Sequence, residues 1–575
     1  MTLESLTLLA VFLAVTLALV RPLGWYLAQV YAGAPTPLSP LLRPVERGIY
    51  WLCGVHPEKE QGWRDYALSF AIFHLPGMLL VYGLLRLQNL LPLNPAGQTA
   101  VSPDLALNTA VSFATNTSWQ SYGGESTLSY LSQMAGIGVQ SFLSGAAGLT
   151  IAIALIRGFA RGDANLRTNA ATGTIGNFWA DLTRGVLYVL LPISVIVALV
   201  LMWQGVPQNF AGPVAATTLE GVQQSIASGP VASQVAIKLL SGDGGGFFNA
   251  QSAHPFENPT TLTNLIGLLL MPLLGAALTN TFGRMVGRER EGWTLLIAMV
   301  ALFLVGALAM QAIEAGGNPL LVGIDAQAGN LEGKELRLGV AGSALFAQLA
   351  TATSSGAVNS MHDSFMPLSG LVQMLNMKLG EVIFGGPGSG LFSMVLVAVL
   401  AVFLAGLMIG RTPEYLGNKI EVREIKMTMI ATLIIPAVTL ILTAVAMVSL
   451  LGLAGIGNAG PHGFSEVLYA YTSATNTNGS AMAGLSTNTP FWNLTLAFAM
   501  IMGRMVTIVA VLAMAGSLAA KRRVPPSLGT LPTTGPLFVS MLLGVTLILG
   551  GLTYFPALAL GPIVEHLAML AGTVF

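Results

Sequence analysis

Residues 464–486 read FSEVLYAYTSATNTNGSAMAGLS. The stretch opens as an apolar run of about ten residues, too short to cross a bilayer. It ends in Thr475-Asn476-Thr477-Asn478-Gly479, and another apolar helix begins near Phe491. A short helix that drops into polar, glycine-containing backbone ahead of a spanning helix has the layout of a re-entrant pore loop. Such backbone survives at membrane depth only where protein buries it or where it lines a watery path. The layout recurs, and the chain reads as four pore units folded into one polypeptide.

Composition agrees with a membrane setting. Of 575 residues, 54% are hydrophobic and only 9% charged, and the mean hydropathy is +0.72. A soluble chain of this size needs far more charge to cover its surface. The net charge is zero, which gives no sign of a nucleic-acid partner. The single Cys53 excludes a disulfide framework and a cysteine-rich metal site. The 66 glycines suit close helix packing and irregular backbone within the membrane. The first apolar run, Leu6 to Val20, follows Glu4 and precedes Arg21. A cleaved signal has its positive charge first, so this run reads as a retained anchor with its N-terminus outside.

Apolar runs long enough to span recur at about 6–22, 66–86, 132–156, 184–204, 262–282, 293–313, 391–410, 429–451, 491–515 and 536–556. An even number of spans leaves both termini on one side. Basic residues fall after alternate spans: Arg43, Arg47, Lys59 and Arg64; Arg157, Arg161 and Arg167; Arg284, Arg288 and Arg290; Arg411, Lys419, Arg423 and Lys426; and Lys521, Arg522 and Arg523. The intervening segments hold Arg86, Lys238, Lys334 and Arg337. Positive charge accumulates on the cytoplasmic side, so both termini are expected to face out.

The four weakly basic outer segments each contain a short apolar run: Leu105–Ala114, Val231–Leu240, Ser343–Ala352 and Phe464–Ser473. Each precedes a patch of small polar residues: Thr115-Asn116-Thr117-Ser118, Ser241-Gly242-Asp243-Gly244, Thr353-Ser354-Ser355-Gly356, and Thr475 to Gly479. The patches lie about 120 residues apart, the period of a repeated unit of span, loop, span and cytoplasmic connection. One such patch would pass for an ordinary outer loop; four in register weigh against chance. The expected fold is an all-α polytopic membrane protein. It has ten transmembrane helices, in four pseudo-symmetric membrane–pore-loop–membrane repeats with one extra helix at each end. The divisions fall at 1–65 for the first helix and its loop, 66–170, 171–291, 292–427 and 428–523 for the repeats, and 524–575 for the last helix.

A dehydrated cation needs several oxygen dipoles at close range, and rings of backbone carbonyls supply them without fixed charge. Glycine permits the backbone angles that aim successive carbonyls at one axis. Ser, Thr and Asn can brace such a strand, and the short helices would aim their negative C-terminal ends at the ion. Acidic rings suited to a divalent ion are missing, so the expected ligand is monovalent. Asp243 is the one carboxylate in the patches, expected to add charge at the mouth.

These residues also carry a family resemblance. Ser241 to Pro259, SGDGGGFFNAQSAHPFENP, resembles the second filter region of the potassium-binding A subunit of the Kdp potassium-transporting ATPase, in the superfamily of potassium transporters. So do SFATNTSWQSYGGESTLSY from Ser112, GAVNSMHDSF from Gly356, GLMIGRTPEYLG from Gly406, Phe464 to Trp492, GTLPTTGPL from Gly529 and ALALGP from Ala557. The similarity covers essentially the whole chain. It implies a subunit that takes K+ from the outside through a filter and passes it through an intersubunit tunnel. The receiver is a P-type ATPase B subunit that hydrolyses ATP, and a C subunit and a small F peptide complete the complex. By motif, the filter carbonyls come from Asn116, Thr117, Gly242, Asp243, Ser355, Gly356, Thr477, Asn478 and Gly479. Thr115, Gln120 and Gly244 are the adjoining positions expected to affect affinity. The chain departs from the pattern where the second filter more usually reads Gly-Thr-Asn-Gly-Gly-Gly. Ser355 stands where Cys is common, and Thr477 where Asn is common.

The run Gly380 to Gly390, including Gly385, Gly386, Pro387 and Gly388, breaks apolar sequence and cannot remain a regular helix. The superfamily resemblance suggests a gate beneath the filter; a tight turn is the plainer alternative. Lys378, Glu381 and Arg504 sit in or beside apolar segments, where charge is costly. They either line the ion's exit or form a structural ion pair. His362 and Asp363 offer acid–base chemistry on paper, though a hydrogen-bonded helix end fits better. His254 and Glu257 fit a turn better than a metal site. Trp119 and Trp492 are expected as interfacial anchors.

The chain contains no G-x-x-x-x-G-K-[ST], H-E-x-x-H or G-x-S-x-G motif. It also lacks the Asp-Lys-Thr-Gly-Thr phosphorylation sequence of P-type ATPases. The expectation is a subunit without a catalytic site, binding K+ as cargo and no ATP, in a bacterial or archaeal cytoplasmic membrane. The rivals are a stand-alone channel or symporter of the same superfamily, or an intramembrane enzyme using His362, Asp363 or Glu381.

Overall fold

Among the described residues of the computed structural model, ten helices are long and apolar enough to cross a membrane, and each overlaps one expected run. The structure describes residues 2–161, 173–321, 329–525 and 530–573; Arg167 and Gly529 lie outside them. In chain order, α1 (Leu3–Tyr31) spans, α2 (Ser39–Cys53) is too short to span, α3 (Trp63–Leu87) spans and α4 (Pro103–Ala114) is short. Spans α5 (Ser132–Ala160) and α6 (Phe178–Trp203) precede the short α7 (Val231–Leu240). Spans α8 (Thr261–Met285) and α9 (Glu289–Ala315) precede the short α10 (Gly339–Ala352). Then come α11 (Pro367–Lys378), the spanning α12 (Ser389–Ile409) and α13 (Val422–Val448), and the short α14 (Gly460–Thr475). Spans α15 (Pro490–Ala519) and α16 (Pro536–Leu570) complete the set.

Several helices outrun the apolar runs, with α1 continuing to Tyr31 and α16 to Leu570. The longest, α16, has 35 residues, more than a ~30 Å hydrocarbon core requires. It kinks at Gly561 (φ −92°, ψ −105°), beside Pro562. Pro22, Pro76, Pro272 and Pro436 also lie inside spans, where neighbouring helices can satisfy freed carbonyls.

Burial separates centre from periphery. In α5, 83% of the most apolar window is buried, against 28% in α1, α3 and α16. Without a hydrophobic driving force between helices in lipid, contact depends on backbones approaching closely. Glycines on α5 allow this: a Cβ on Gly148 would lie 2.3 Å from the Pro387 carbonyl oxygen. At Gly24, a Cβ would lie 2.7 Å from Asn280 Cβ, so α1 and α8 also pack closely.

Polar clamps hold the other end of the bundle. Arg157 donates to both Asp181 oxygens at 2.5 and 2.8 Å, and the Tyr66 hydroxyl donates to the same carboxylate at 3.1 Å. On α2, Glu46 accepts from the Tyr50 and Tyr188 hydroxyls, each at 2.8 Å, and from Arg184 at 3.0 Å. Burial alone would push the Glu46 carboxyl up, but these donors hold it below its ordinary value.

The interfacial placement of two tryptophans is not what the structure shows. Trp119 and Trp492 are buried. Trp119 donates to Ser121 at 3.0 Å, and Trp492 stacks on Tyr471 with centroids 5.4 Å apart. They pack behind the first and fourth polar loops, where a large flat ring fills space between a short helix and its neighbouring span.

Candidate ion site

The four short helices end alike. The first residue of each loop returns a side-chain hydrogen bond to the carbonyl four residues back. Thr115 donates to Val111 at 2.9 Å, Ser241 to Ile237 at 2.7 Å, Thr353 to Leu349 at 2.7 Å and Asn476 to Thr472 at 2.8 Å. These bonds use carbonyls that a helix C-terminus otherwise leaves without partners. The next residue is left-handed in every loop: Asn116 (φ 61°), Gly242 (62°), Ser354 (59°) and Thr477 (59°). The third residue's N–H then reaches back five residues in three loops, Thr117 to Ser112 at 2.9 Å, Asp243 to Lys238 at 3.0 Å and Asn478 to Ser473 at 2.9 Å. This is the Schellman way of stopping a helix.

Left-handed backbone returns two residues later at Ser118 (58°), Gly356 (63°) and Gly479 (96°), and one residue further on at Gly245 (70°) in the second loop. A left-handed non-glycine residue is uncommon, and four of them here, one being the β-branched Thr477, mark a strained and specialised backbone.

The loops close on one another in a ring. Asn116 of the first loop donates to the Gly242 carbonyl of the second at 3.0 Å, and Ser118 to Asp243 Oδ1 at 2.6 Å. Ser355 of the third donates to the Asp243 carbonyl at 3.1 Å. A Cβ on Gly356 would sit 1.9 Å from the Asn478 carbonyl oxygen, and Asn478 donates to Ala350 at 2.9 Å. The fourth loop meets the first where a Cβ on Gly479 would sit 2.0 Å from the Thr117 carbonyl oxygen. A Cβ on Gly244 would lie 2.5 Å from the Ser355 carbonyl oxygen, so it too marks a contact without room for a side chain. Gln120 grips Gly246 at both ends, accepting from its N–H at 2.9 Å and donating to its carbonyl at 3.1 Å. The Thr115 and Thr117 hydroxyls bond each other at 2.8 Å.

Asp243 corrects an expectation. Its carboxylate is buried and points sideways, with Ser118, Ser241 and Ser144 hydroxyls at 2.6, 3.3 and 3.4 Å, instead of standing at an open mouth. The structure also adds Ser118 and Ser354, which take the same register as the expected positions. Lys238 of α7 has a role that its place among the outer basic residues does not reveal. Its ammonium reaches the Gly245 carbonyl at 2.9 Å and pairs with Glu257, so Glu257 braces the second loop. His254 stacks on Phe248 with centroids 3.7 Å apart. His362 is buried and bonded to the Tyr469 hydroxyl at 2.9 Å; Tyr469 meets Ser480 at 2.8 Å, and Ser480 donates to Asn478 at 2.5 Å. That relay holds the fourth loop from behind.

The glycine- and proline-rich break lies directly against the ring. A Cβ on Gly242 would lie 2.4 Å from Pro387 Cδ, and Ser354 and Ser389 hydroxyls are 3.4 Å apart. Glu381, Phe384, Gly385 and Gly388 have positive φ, and Gly386 N–H is held by Ser389 at 2.8 Å. Arg504 occupies a π-helical turn, Met502–Val506, of α15. A cavity of about 30 Å³ is lined by Glu381, Thr475, Asn476, Thr477 and Arg504. A second, of about 60 Å³, is lined by Lys378, Leu379 and Tyr554, and the two share Gly380, Ser393, Ile435 and Thr507. Lys378 Nζ, Glu381 Oε1 and Arg504 Nε have no hydrogen-bond partner in the protein, and Lys378 lies 5.1 Å over the Tyr554 ring. Of the two readings of these charges, the structural ion pair is not formed among the three.

Residues 10–567 match the family model of the potassium-transporting ATPase A subunit (KdpA). The chain belongs to that family. Among A-subunit relatives, the "potassium-transporting ATPase potassium-binding subunit" of Methylobacterium nodulans is 59% identical over 575 residues, covering 100% of this chain and 99% of the relative. Its namesake from Bradyrhizobium diazoefficiens is 57% identical over 575 residues and 100% of both chains. Among solved structures, the potassium transporter TrkH from Vibrio parahaemolyticus aligns with a TM-score of 0.51 at 15% identity, covering 85% of this chain and 97% of that one. At that identity the likeness establishes a shared fold. The family resemblance read from the motif strings and the ten-helix expectation both hold.

Proposed function

We propose that this chain is the potassium-binding subunit of an ATP-driven potassium import complex. The observation that carries this is the closed ring of four loops, each following a helix C-terminus and each set in the same left-handed register. Four helix ends contribute negative potential, and carbonyls presented from one side replace the water of a dehydrated cation. The carbonyls of Asn116, Thr117, Gly242, Asp243, Ser355, Gly356, Thr477, Asn478 and Gly479 act as ligands, with those of Ser118 and Ser354 in register. Carbonyls already accepting a hydrogen bond, such as those of Gly242 and Asp243, retain a second lone pair. Thr115, Gln120 and Gly244 set the spacing between loops.

Beyond the ring, Gly385, Gly386 and Gly388 form a restriction whose opening admits the ion to the small cavities at Glu381, Arg504 and Lys378. Both cavities exceed the ~10–15 Å³ one water needs, so a partly hydrated ion can pass once the restriction moves. From there it travels to a P-type ATPase B subunit, where hydrolysis occurs, with C and F subunits completing the assembly. The alternation of basic loops supports a cytoplasmic-membrane setting with both termini on the outer side.

The test is potassium uptake at micromolar external potassium in cells lacking other high-affinity uptake. The chain is expressed alone, with B, C and F partners, and with partners plus Gly244→Asp. Uptake only with intact partners, weakened by the substitution, is the expected result. Equal uptake by the chain alone would refute the pump-subunit reading in favour of a stand-alone channel or symporter.

A further inference from the structure

Away from the ring, Asp363, His462 and Glu466 bring one ligand-type atom each within 4.8 Å of one another. Asp363 lies in the short turn His362–Ser364 after the third loop, while His462 and Glu466 sit one turn apart at the start of α14. His462 Nε2 is 3.2 Å from Asp363 Oδ1 and 4.0 Å from Glu466 Oε1. Two ligands about 2.1 Å from one metal can be at most ~4.2 Å apart, so each carboxylate can share a centre with His462, and a small closing movement brings the two carboxylates onto the same one. His462 Nδ1 is 2.7 Å from Glu565 Oε1 on α16. A histidine whose other ring nitrogen is committed to a carboxylate is the usual arrangement around a bound metal.

Further observations point to a ligand. Glu466 is 0% exposed, and while Oε1 accepts from Asn458 at 2.5 Å, Oε2 has no hydrogen-bond partner in the protein. A doubly protonated imidazole spends both N–H groups on Glu565 and Asp363 and leaves none for the buried Glu466 carboxylate, which is costly to bury without compensation. Gly484 backs the cluster so closely that a Cβ there would lie 2.0 Å from Glu466 Oε1 and 2.8 Å from Asp363 Oδ2. On its open side, Asp363, His462 and Glu565 line a cavity of about 270 Å³, room for the waters that complete a metal's coordination.

We propose that Asp363, His462 and Glu466 form a binding site for a divalent first-row transition cation, with Zn²⁺ as the best-matched ion. One imidazole with two carboxylates suits such ions better than Mg²⁺ or Ca²⁺, which take oxygen alone. Glu565 orients the imidazole and Asn458 the Glu466 carboxylate. The bound ion ties the segment after the third loop to the helix carrying the fourth.

The experiment uses the tag-free, chelator-stripped complex, titrated with Zn²⁺ alone by calorimetry and followed by zinc-edge X-ray absorption. The expected result is one Zn²⁺ per chain, with a coordination shell of one imidazole and oxygens. His462→Gln should weaken binding at least 100-fold, Glu565→Gln should weaken it about 10- to 100-fold, and millimolar Mg²⁺ or Ca²⁺ should not displace the ion. Absence of stoichiometric Zn²⁺ on the wild-type complex, a shell of several imidazoles, or full binding by His462→Gln would overturn the proposal. The wild-type stoichiometry and shell decide the matter even where a variant fails to assemble.

Discussion

Replacing Gly356 by Ala asks the ring to accept one methyl group at its contact between the third and fourth loops. Gly356 has φ +63°, and the added Cβ would lie 1.9 Å from the Asn478 carbonyl oxygen and 2.9 Å from the Ser480 nitrogen. Ordinary carbon–oxygen contacts begin near ~3.3 Å, so one loop must move by more than about an ångström. The left-handed backbone costs roughly 1–2 kcal/mol for a residue with a Cβ, and overpacking roughly 1–3 kcal/mol more. The sum of about 2–5 kcal/mol corresponds to at least a roughly 30-fold loss where it falls on ion binding. Gly410→Ala, at the end of α12 and lining neither cavity, is the matched control: its φ is +67°, but nothing lies within 4 Å of the added Cβ. It carries the backbone cost alone. The assay is the apparent potassium affinity of the assembled complex, with thermal unfolding measured in parallel. Gly356→Ala should lose affinity while Gly410→Ala loses only a few degrees of Tm. Wild-type affinity in Gly356→Ala, or equal losses in both, would refute the argument that the ring depends on this close approach.

Thr477→Asn should raise the unfolding temperature, because a β-branched residue is held at φ +59°. Relief of roughly 1 kcal/mol is expected, and a lower Tm would contradict it. Asp181→Ala leaves the largely buried Arg157, its side chain 12% exposed, without its carboxylate and should cost about 3 kcal/mol, read as a fall in Tm and in the yield of assembled complex. Glu46 has a folded pKa below its unfolded one, so its stabilisation is present above the unfolded value near ~4.3 and is lost as pH falls through the folded value. Tm measured against pH should therefore drop on the acid side for the wild type and flatten in Glu46→Gln; parallel curves would disprove the link.

Length and apolarity were enough to find the ten spans, since few other structures use twenty such residues in a row. The short helices were legible for the complementary reason: each is too brief to cross and ends in small polar residues. Ser118 and Ser354 were harder. Serine has no special freedom of backbone, and only their common φ with Gly356 and Asn116 puts them in register. Trp119 and Trp492 were misplaced because proximity to a span end suggests an interface, whereas burial depends on which neighbour the loop folds against. The fate of Asp243 rested on Ser118 and Ser144, far off in sequence. His462 and Glu466 lie four residues apart, a spacing that signals a shared helix face. Nothing in sequence brings Asp363 and Glu565 to that face.

The ring is built from four different strands of one polypeptide, and this alters what a mutation can do. In a pore made of four identical chains, each substitution arrives on every side at once, so a change must be tolerable in quadruplicate to survive. Here Thr477 and Asp243 alter one side each and leave the other three untouched. Each quadrant can therefore drift separately, and the ring can acquire a front and a back. A departure forbidden to a symmetric pore becomes in this chain an adjustable setting on a single side.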